Sequence, residues 1–418
     1  MTGRPSRTTP LTLRQAALRV LRRLRDAGHE ALLAGGCVRD MKMNRRPKDY
    51  DVATNAHPDQ IVAMFRRTRK VGMQFGVVLI GVRQHWIEVA TFRVDEDYQD
   101  GRRPDHVRFT SAREDAVRRD FTINGMFYDP LARRLIDFVG GEADLKAGLI
   151  RAIGRPDRRF AEDHLRMLRA IRFAARFGFK IEPATWQAMR RCAPSVARIS
   201  SERIQMELQM MLTHPHRADA FSNLHAAGLL QHLWPGAQEL LPAVEPIRAL
   251  LTALPARAGF ELSLAALLHR LPARRVQTVC RSLACSNRTT KTSAWLIAHQ
   301  DALAESDTLS TADLKRLMAQ PSFRQLLDLN AAMLRAEGKP PTPHRRILAR
   351  IRRIPTDQIA PPPFITGDDL IRLGLPPGPR FKQVLYKLYD AQLNGDLHDR
   401  ASARRLARHL TDQPSERA

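Results

Sequence analysis

The sequence predicts an α/β head followed by an all-α neck, body and tail, and three observations predict it. The β-rich runs are confined to the first 140 residues or so. Beyond residue 155, apolar residues recur at intervals of three and four, the spacing of one helix face. A proline-rich break, "RIPTDQIAPPPF" at 353–364, then sets off a last pair of helices. The expected divisions are 1–155 for the head, 156–236 for the neck, 237–353 for the body and 354–418 for the tail.

The elements follow in order. From Leu11 onward the pattern is that of an amphipathic first helix. "ALLAGG" (31–36), "YDVAT" (50–54), "GVVLIGV" (76–82), "HWIEVATFRV" (85–94) and "RLIDFVG" (134–140) have the β-branched and aromatic content of strands. "HPDQIVAMFRRT" (57–68) has helical spacing, with His57 to Asp59 as its start. In the remainder, "EDHLRMLRAIRFAARFG", "ATWQAMRRCA", "SSERIQMELQMMLT" and "ADAFSNLHAAGLLQHLWP" are helical. No fixed-period repeat is visible.

Composition narrows the partners. The 418 residues carry 68 Lys+Arg against 43 Asp+Glu, a formal charge of +25. Such a charge favours a polyanion, nucleic acid above all, and says nothing of fold. No run of about eighteen apolar residues marks a membrane helix, and the start of the chain lacks the apolar core of a secretory signal. Four cysteines in this length make no disulfide framework. Cys280 and Cys285 are the one close pair, without a second Cys/His pair at zinc spacing. Reduced, structural cysteines and a cytoplasmic setting are expected. "HRRILARIRR" (344–353) places Arg345, Arg346, Arg350, Arg352 and Arg353 in ten residues without an acid. It reads either as a solvated helix face or as a track for a phosphate backbone.

Three motifs carry chemistry. In "LLAGGCVRD" (32–40) a β-run ends at Gly35 and Gly36, and helix follows. Such a turn lets backbone N–H groups approach a phosphate, and Arg39 could pair with its oxygens. Next comes Asp49-x-Asp51 in "KDYDVAT". Alternation along a strand turns both carboxylates to one side, where they repel unless cations lie between them. Mg²⁺ takes a few carboxylates together with phosphate oxygens and water, and paired metals can activate a hydroxyl and neutralise a leaving pyrophosphate. Glu88, in "IEVATF", is a third carboxylate for that site. Third, Asp163 and Arg166 in "EDHLR" stand three apart, the spacing of neighbours on one helix face. They form either an ordinary intrahelical ion pair or an acceptor and donor edge for a base.

In these residues the chain resembles the class II nucleotidyltransferase family, which contains the CCA-adding tRNA nucleotidyltransferases and the bacterial poly(A) polymerases. The likeness runs from "LLAGGCVRD…KDYDVAT" through "EVATFRVDEDYQDGRRPDHVRF", "EDAVRRDFTINGMFYDP", "DFVGGEADLKAGLIRAIG" and "RFAEDHLRMLRAIRFAARFGF" to "ISSERIQMEL". It implies a palm of about five strands in a mixed sheet with helices on one side, then helical neck, body and tail. It also implies that Asp49 and Asp51 hold two Mg²⁺ ions, while Gly35, Gly36 and Arg39 cradle the triphosphate of ATP or CTP. Arg119, Asp120 and Asn124 would meet the sugar and phosphates, with helix capping as the structural reading of Asp120. Asp163 and Arg166 would read the base in place of a template: the carboxylate accepts from the amino group of C or A, and the guanidinium donates to N3 or N1.

The resemblance leaves the RNA substrate open. "DEDYQDGRRPDHV" (95–107) is similar to the flexible loop of enzymes that add the terminal A, which disfavours a CC-only activity. In "VGMQFGVVLI" (71–80), Met73 and Gln74 stand where poly(A) polymerases tend to carry a basic pair, although Phe75 and "DFTINGMFY" lean toward the polymerases. The tail "ITGDDLIRLGLPPGPRFKQVLYKLYDAQLNGDL" (365–397) is similar to that of CCA-adding enzymes, which implies a tRNA substrate. Addition of CCA, or of its terminal A, to tRNA is therefore the leading expectation. Poly(A) addition to other RNA 3′ ends is the alternative, and a non-catalytic RNA-binding protein is the reading from another class. In "LAALLHRLP" (264–272), His269 is followed by Arg270 rather than the Asp of phosphohydrolase domains, so His269 is expected to be a packing residue.

Overall fold

The computed structural model describes residues 11–98, 104–304 and 308–412. The chain divides into two compact units, Met1–Pro242 with Ser282–Ala284, and Ala243–Arg281 with Cys285–Ala418.

The first unit opens with α1 (Leu13–Asp26), β1 (Ala31–Ala34), α2 (Gly36–Lys42), β2 (Asp51–Thr54) and α3 (Pro58–Met64). Thr12 starts α1 with a reciprocal capping box to Gln15. Then come β3 (Thr68–Arg69), β4 (Val77–Val82), β5 (His85–Thr91), β6 (Arg93–Tyr98), β7 (Pro104–Phe109) and α4 (Ala112–Arg118). The head closes with β8 (Phe127–Asp129), β9 (Arg134–Ile136), α5 (Gly141–Ala147) and β10 (Leu149–Ile150).

One mixed sheet has the order β3-β4-β5-β2-β1-β8-β9. Only the β2–β5 pairing within it is parallel. It has seven strands rather than about five, because β3 and β8 are too short, at two and three residues, to show a period. "HWIEVATFRV" is two strands. At Phe92 the chain leaves the sheet, and β6 pairs with β7 in a separate ribbon. Residues 99–103, at the centre of the expected flexible loop, lie outside the described residues.

Alternation decides what each face of the sheet buries. Ala31 and Leu33 of β1 and Val52 of β2 pack with Val20, Leu21 and Leu24 of α1, Val38 of α2 and Ile61 of α3. Leu32, Ala34 and Ala53 point the other way, where they meet Phe92, Phe127 and Ala112 and Ala116 of α4. Helices thus cover both faces, not one side. Period two puts Asp51 on the second face with Ala53.

The neck follows as α6 (Pro156–Glu162), α7 (Leu165–Phe177), β11 (Lys180–Ile181), α8 (Pro183–Cys192), α9 (Ser201–Leu212) and α10 (Arg217–Ala226). Helix α7 is buried around most of its circumference. Its Arg172 forms an ion pair with Glu207 of α9 at 2.6 Å, both side chains being buried.

The second unit is helical throughout its described residues. It contains α11 (Val244–Ala253), α12 (Phe260–Leu267), α13 (Ala273–Ser282), α14 (Asn287–Ala298), α15 (Thr311–Met318), α16 (Phe323–Ala336) and α17 (Thr342–Arg352). After the proline-rich break come α18 (Gly367–Arg372), α19 (Pro379–Asn394) and α20 (Arg400–Asp412). These last three helices share a core of their own, built on Leu370, Leu388 and Ala407. His269 is a buried turn residue whose Nδ1 lies 2.9 Å from the Ala266 carbonyl, as its packing role requires. Among the described residues no helix is long and apolar enough to cross a membrane.

Candidate active site

In the first unit, an open cleft of about 540 Å³ is lined by Gly35, Gly36, Arg39, Asp49, Asp51, Glu88, Arg119, Asp120, Asn124, Asp163 and Arg166. Every expected catalytic and nucleotide-binding residue therefore reaches one space. Arg345, Arg346, Arg350 and Arg352 of "HRRILARIRR" lie on α17 in the other unit, and Arg353 directly follows it. Arg345, Arg346, Arg352 and Arg353 are exposed there, whereas Arg350 donates to the Leu309 carbonyl at 2.6 Å.

Register explains the first part of the site. Asp51 opens β2 and pairs with Ala34, the last residue of β1, so its carboxylate stands next to the glycine turn. Gly35 has φ +68°, and a Cβ there would meet the Arg119 guanidinium at 2.8 Å. The conformation demands glycine, and a side chain there would also displace the Arg119 guanidinium. Parallel pairing of Val52 with Val89 brings Glu88 level with Asp51 from the neighbouring strand. Asp49 precedes the strand and is exposed in the cleft.

The electrostatics are those of crowded carboxylates. Burial, then Glu88 and Asp49, push the Asp51 carboxyl up to about 7, against the opposing pull of Arg119. Burial and Asp49 raise Glu88 as well, with Arg93 opposing. Among the described residues, no three His, Cys, Asp or Glu side chains are grouped closely enough to hold a metal ion by themselves. The donor set still suits Mg²⁺, which binds through one or two carboxylates and takes its other oxygens from phosphate and water.

Arginines surround this acidic floor, each oriented by an acceptor or a ring. Arg39 donates to Asp40 Oδ1 from Nε and Nη2 at 2.9 and 2.7 Å, and to Asn124 Oδ1 at 2.5 Å. Its Cζ lies 4.7 Å from the Phe177 ring centre. Arg119 is held by Asp115, with Nη2 to Oδ2 at 2.9 Å.

Asp120 joins head to neck. Its Oδ1 accepts from the Phe121 N–H and the Asn124 amide, and its Oδ2 from Arg169 of α7 at 2.7 Å. Asp120 therefore caps no helix, since the short turn Thr122–Asn124 begins at Phe121 without a side-chain cap; it is instead a tie holding Asn124 and Arg169 at the cleft. Burial alone would raise this carboxyl, but Arg169, Asn124 and the Phe121 N–H outweigh it and hold it at about 2. A group depressed from its ordinary 3.8 stabilises the fold above pH 4, and that contribution is lost as pH falls toward 2. By linkage it amounts to about 2 kcal/mol. Asp120→Asn is expected to lose it, flattening the pH dependence of denaturant unfolding between pH 2 and 4.

The pair expected to read the base departs from its predicted geometry. Asp163 and Arg166 do not share one helix face. Helix α6 ends before Asp163, which is extended at φ −146°, and α7 begins at Leu165. They do not pair with each other either. Asp163 takes both oxygens to Arg203 Nη2 of α9, at 3.0 and 2.9 Å, while Arg166 is fixed by Glu162 at 2.8 Å and the Arg118 carbonyl at 3.3 Å. The break in the helix frees each side chain to face the cleft with its own support.

Arg203 was missed in the sequence, as were Arg169, Arg172 and Arg176. The last three follow Arg166 at steps of three, three and four, a one-face stripe that was legible. Arg203 left no signal, since its partner lies forty residues away. Arg203→Ala is expected to raise KM for the nucleotide about tenfold by releasing Asp163. Steady-state kinetics should show a smaller change in kcat, with partial rescue by Arg203→Lys.

A carboxylate pair on a sheet beside a glycine turn, facing an arginine-lined helical neck, defines a nucleotidyltransferase. Residues 31–151 match the family described as the poly A polymerase head domain, and residues 178–241 the one described as the probable RNA and SrmB-binding site of polymerase A. The CCA-adding enzyme of Geobacillus thermodenitrificans is 34% identical over 92% of this chain and 94% of its own length. That of Lactobacillus johnsonii is 33% identical over 93% and 95%. The crystal structure of the Bacillus stearothermophilus CCA-adding enzyme in complex with CTP superposes with a TM-score of 0.79 at 29% identity, covering 94% of this chain and 98% of that one. The chain belongs to the family of the CCA-adding enzymes.

Proposed function

We propose that this chain builds the CCA end of tRNA, transferring CMP and AMP from CTP and ATP to the RNA 3′-hydroxyl with release of pyrophosphate. The observation that carries this reading is the opening of Asp163 and Arg166 into the same cleft as Asp49 and Asp51. A base-reading edge and a transfer site then act on one bound nucleotide. Likeness to CCA-adding enzymes over more than nine-tenths of the chain favours tRNA over an unstructured 3′ end.

Asp49 and Asp51 would hold Mg²⁺, with Glu88 beside them. When bound there, divalent cations lower the pKa of the attacking hydroxyl and neutralise charge on the departing pyrophosphate. The protein's own part is positioning. The Gly35–Gly36 turn, Arg39 and Arg119 orient the phosphates, and Asn124, held by Asp120, faces the sugar. Asp163 accepts from N4 of cytosine or N6 of adenine, and Arg166 donates to N3 or N1. Uracil and guanine would set acceptor against acceptor and donor against donor. The arginines on α17 supply a phosphate-backbone contact in the second unit. We assign base choice to the neck and RNA binding to the tail, and place the reaction in the cytoplasm.

The test offers a tRNA transcript ending before CCA with Mg²⁺ and labelled nucleotides. CTP alone should add two residues, and ATP supplied afterward one more. No incorporation, or incorporation of A without C, would overturn the reading.

A further inference from the structure

The end of α13 places two thiols together. Ala284 is left-handed at φ +51°, and the Cys285 N–H donates to the Cys280 carbonyl at 2.9 Å. This is the six-to-one bond of a Schellman turn, in which the two bonded positions commonly pack an apolar contact. Here both positions are cysteine. That backbone bond draws the two residues together, as a disulfide requires of the Cα atoms that it joins.

The side chains are not equivalent. Cys280 is fully buried, whereas Cys285 is partly exposed. The Cys280 thiol is hydrogen-bonded to the Cys285 sulfur. That contact and burial push Cys280 up, while the same contact draws Cys285 down. Cys37 and Cys192 are instead pushed up by burial. The partly exposed Cys285 sulfur is the one that an incoming disulfide can reach, with buried Cys280 behind it.

We propose that Cys280 and Cys285 are a reversible thiol-modification site, with Cys285 attacking small disulfides of the glutathione class and Cys280 resolving the adduct into an internal disulfide. The Cys285 thiolate attacks one sulfur of oxidised glutathione, forming a mixed disulfide and expelling one glutathione thiolate. Cys280 loses its proton and attacks the Cys285 sulfur, expelling the second. The protein gives up two protons and two electrons, and the glutathione disulfide takes them up to become two thiols. The site is independent of the nucleotidyl-transfer reading.

The test treats the folded full-length protein with oxidised glutathione, blocks free thiols and maps the peptides by mass spectrometry. Wild type should lose two hydrogens and yield a 280–285 linkage that dithiothreitol reverses. Cys280→Ala should stop at a glutathione adduct on Cys285, and Cys285→Ala should form neither linkage nor adduct at Cys280. Folded wild-type protein with both thiols still open to alkylation, or with glutathione on Cys280, would overturn the proposal.

Discussion

Asp51→Asn is expected to abolish nucleotide transfer, by about a thousand-fold or more, while leaving tRNA affinity within about twofold. The carboxylate stands on the cleft floor between the glycine turn and Glu88, so its loss removes a metal ligand without touching the arginine walls. A second consequence separates this role from a structural one. Asp51 has its carboxyl raised to about 7, above its ordinary 3.8, by burial and by Glu88 and Asp49. The ionised group therefore costs the fold stability: its contribution declines as pH rises from about 4 to about 7, and the penalty is complete at pH 8. Without divalent metal, the neutral amide of Asp51→Asn should stabilise the first unit by about 1–2 kcal/mol at pH 8. Thermal unfolding in EDTA would show a melting temperature higher by about 2–4 °C. A variant that lost activity and melted lower would mark Asp51 as a packing residue.

Asp163→Ala is expected to act on choice rather than on rate alone. With Arg203 left unpaired and the amino groups of cytosine and adenine without an acceptor, discrimination against UTP and GTP should fall by about 10- to 100-fold. Competition of the four nucleotides at one 3′ end measures it. Unchanged selectivity would remove Asp163 from base reading.

The long elements and the cleft's residues were legible in the sequence because they depend on local pattern. Strands β1, β2, β4 and β5 carry unbroken β-rich runs, and the glycine turn and the two aspartates lie within seventeen residues of one another. What was not legible depends on distant partners. The short strands β3 and β8 exist through pairing, β3 with β4 and β8 with β1 and β9, not through a period of their own. Three-residue spacing placed Asp163 and Arg166 on one helix, yet the chain is extended at Asp163 and both groups find other partners, Arg203 and Glu162. Asp120 could be read as a cap or as a site residue. No cap forms there; its tie to Arg169 across forty-nine positions, which no local pattern announces, supports the cleft by satisfying buried groups.

The central claim is that one cleft reads the base and adds it to tRNA. It is tested most directly by offering equal concentrations of tRNA lacking CCA and unstructured oligo(A), with CTP, ATP and Mg²⁺ together, and sequencing the product ends. The expected result is C, C and A on the tRNA, no further growth, and oligo(A) nearly unchanged. Long A tails on oligo(A) without C on the tRNA would contradict it.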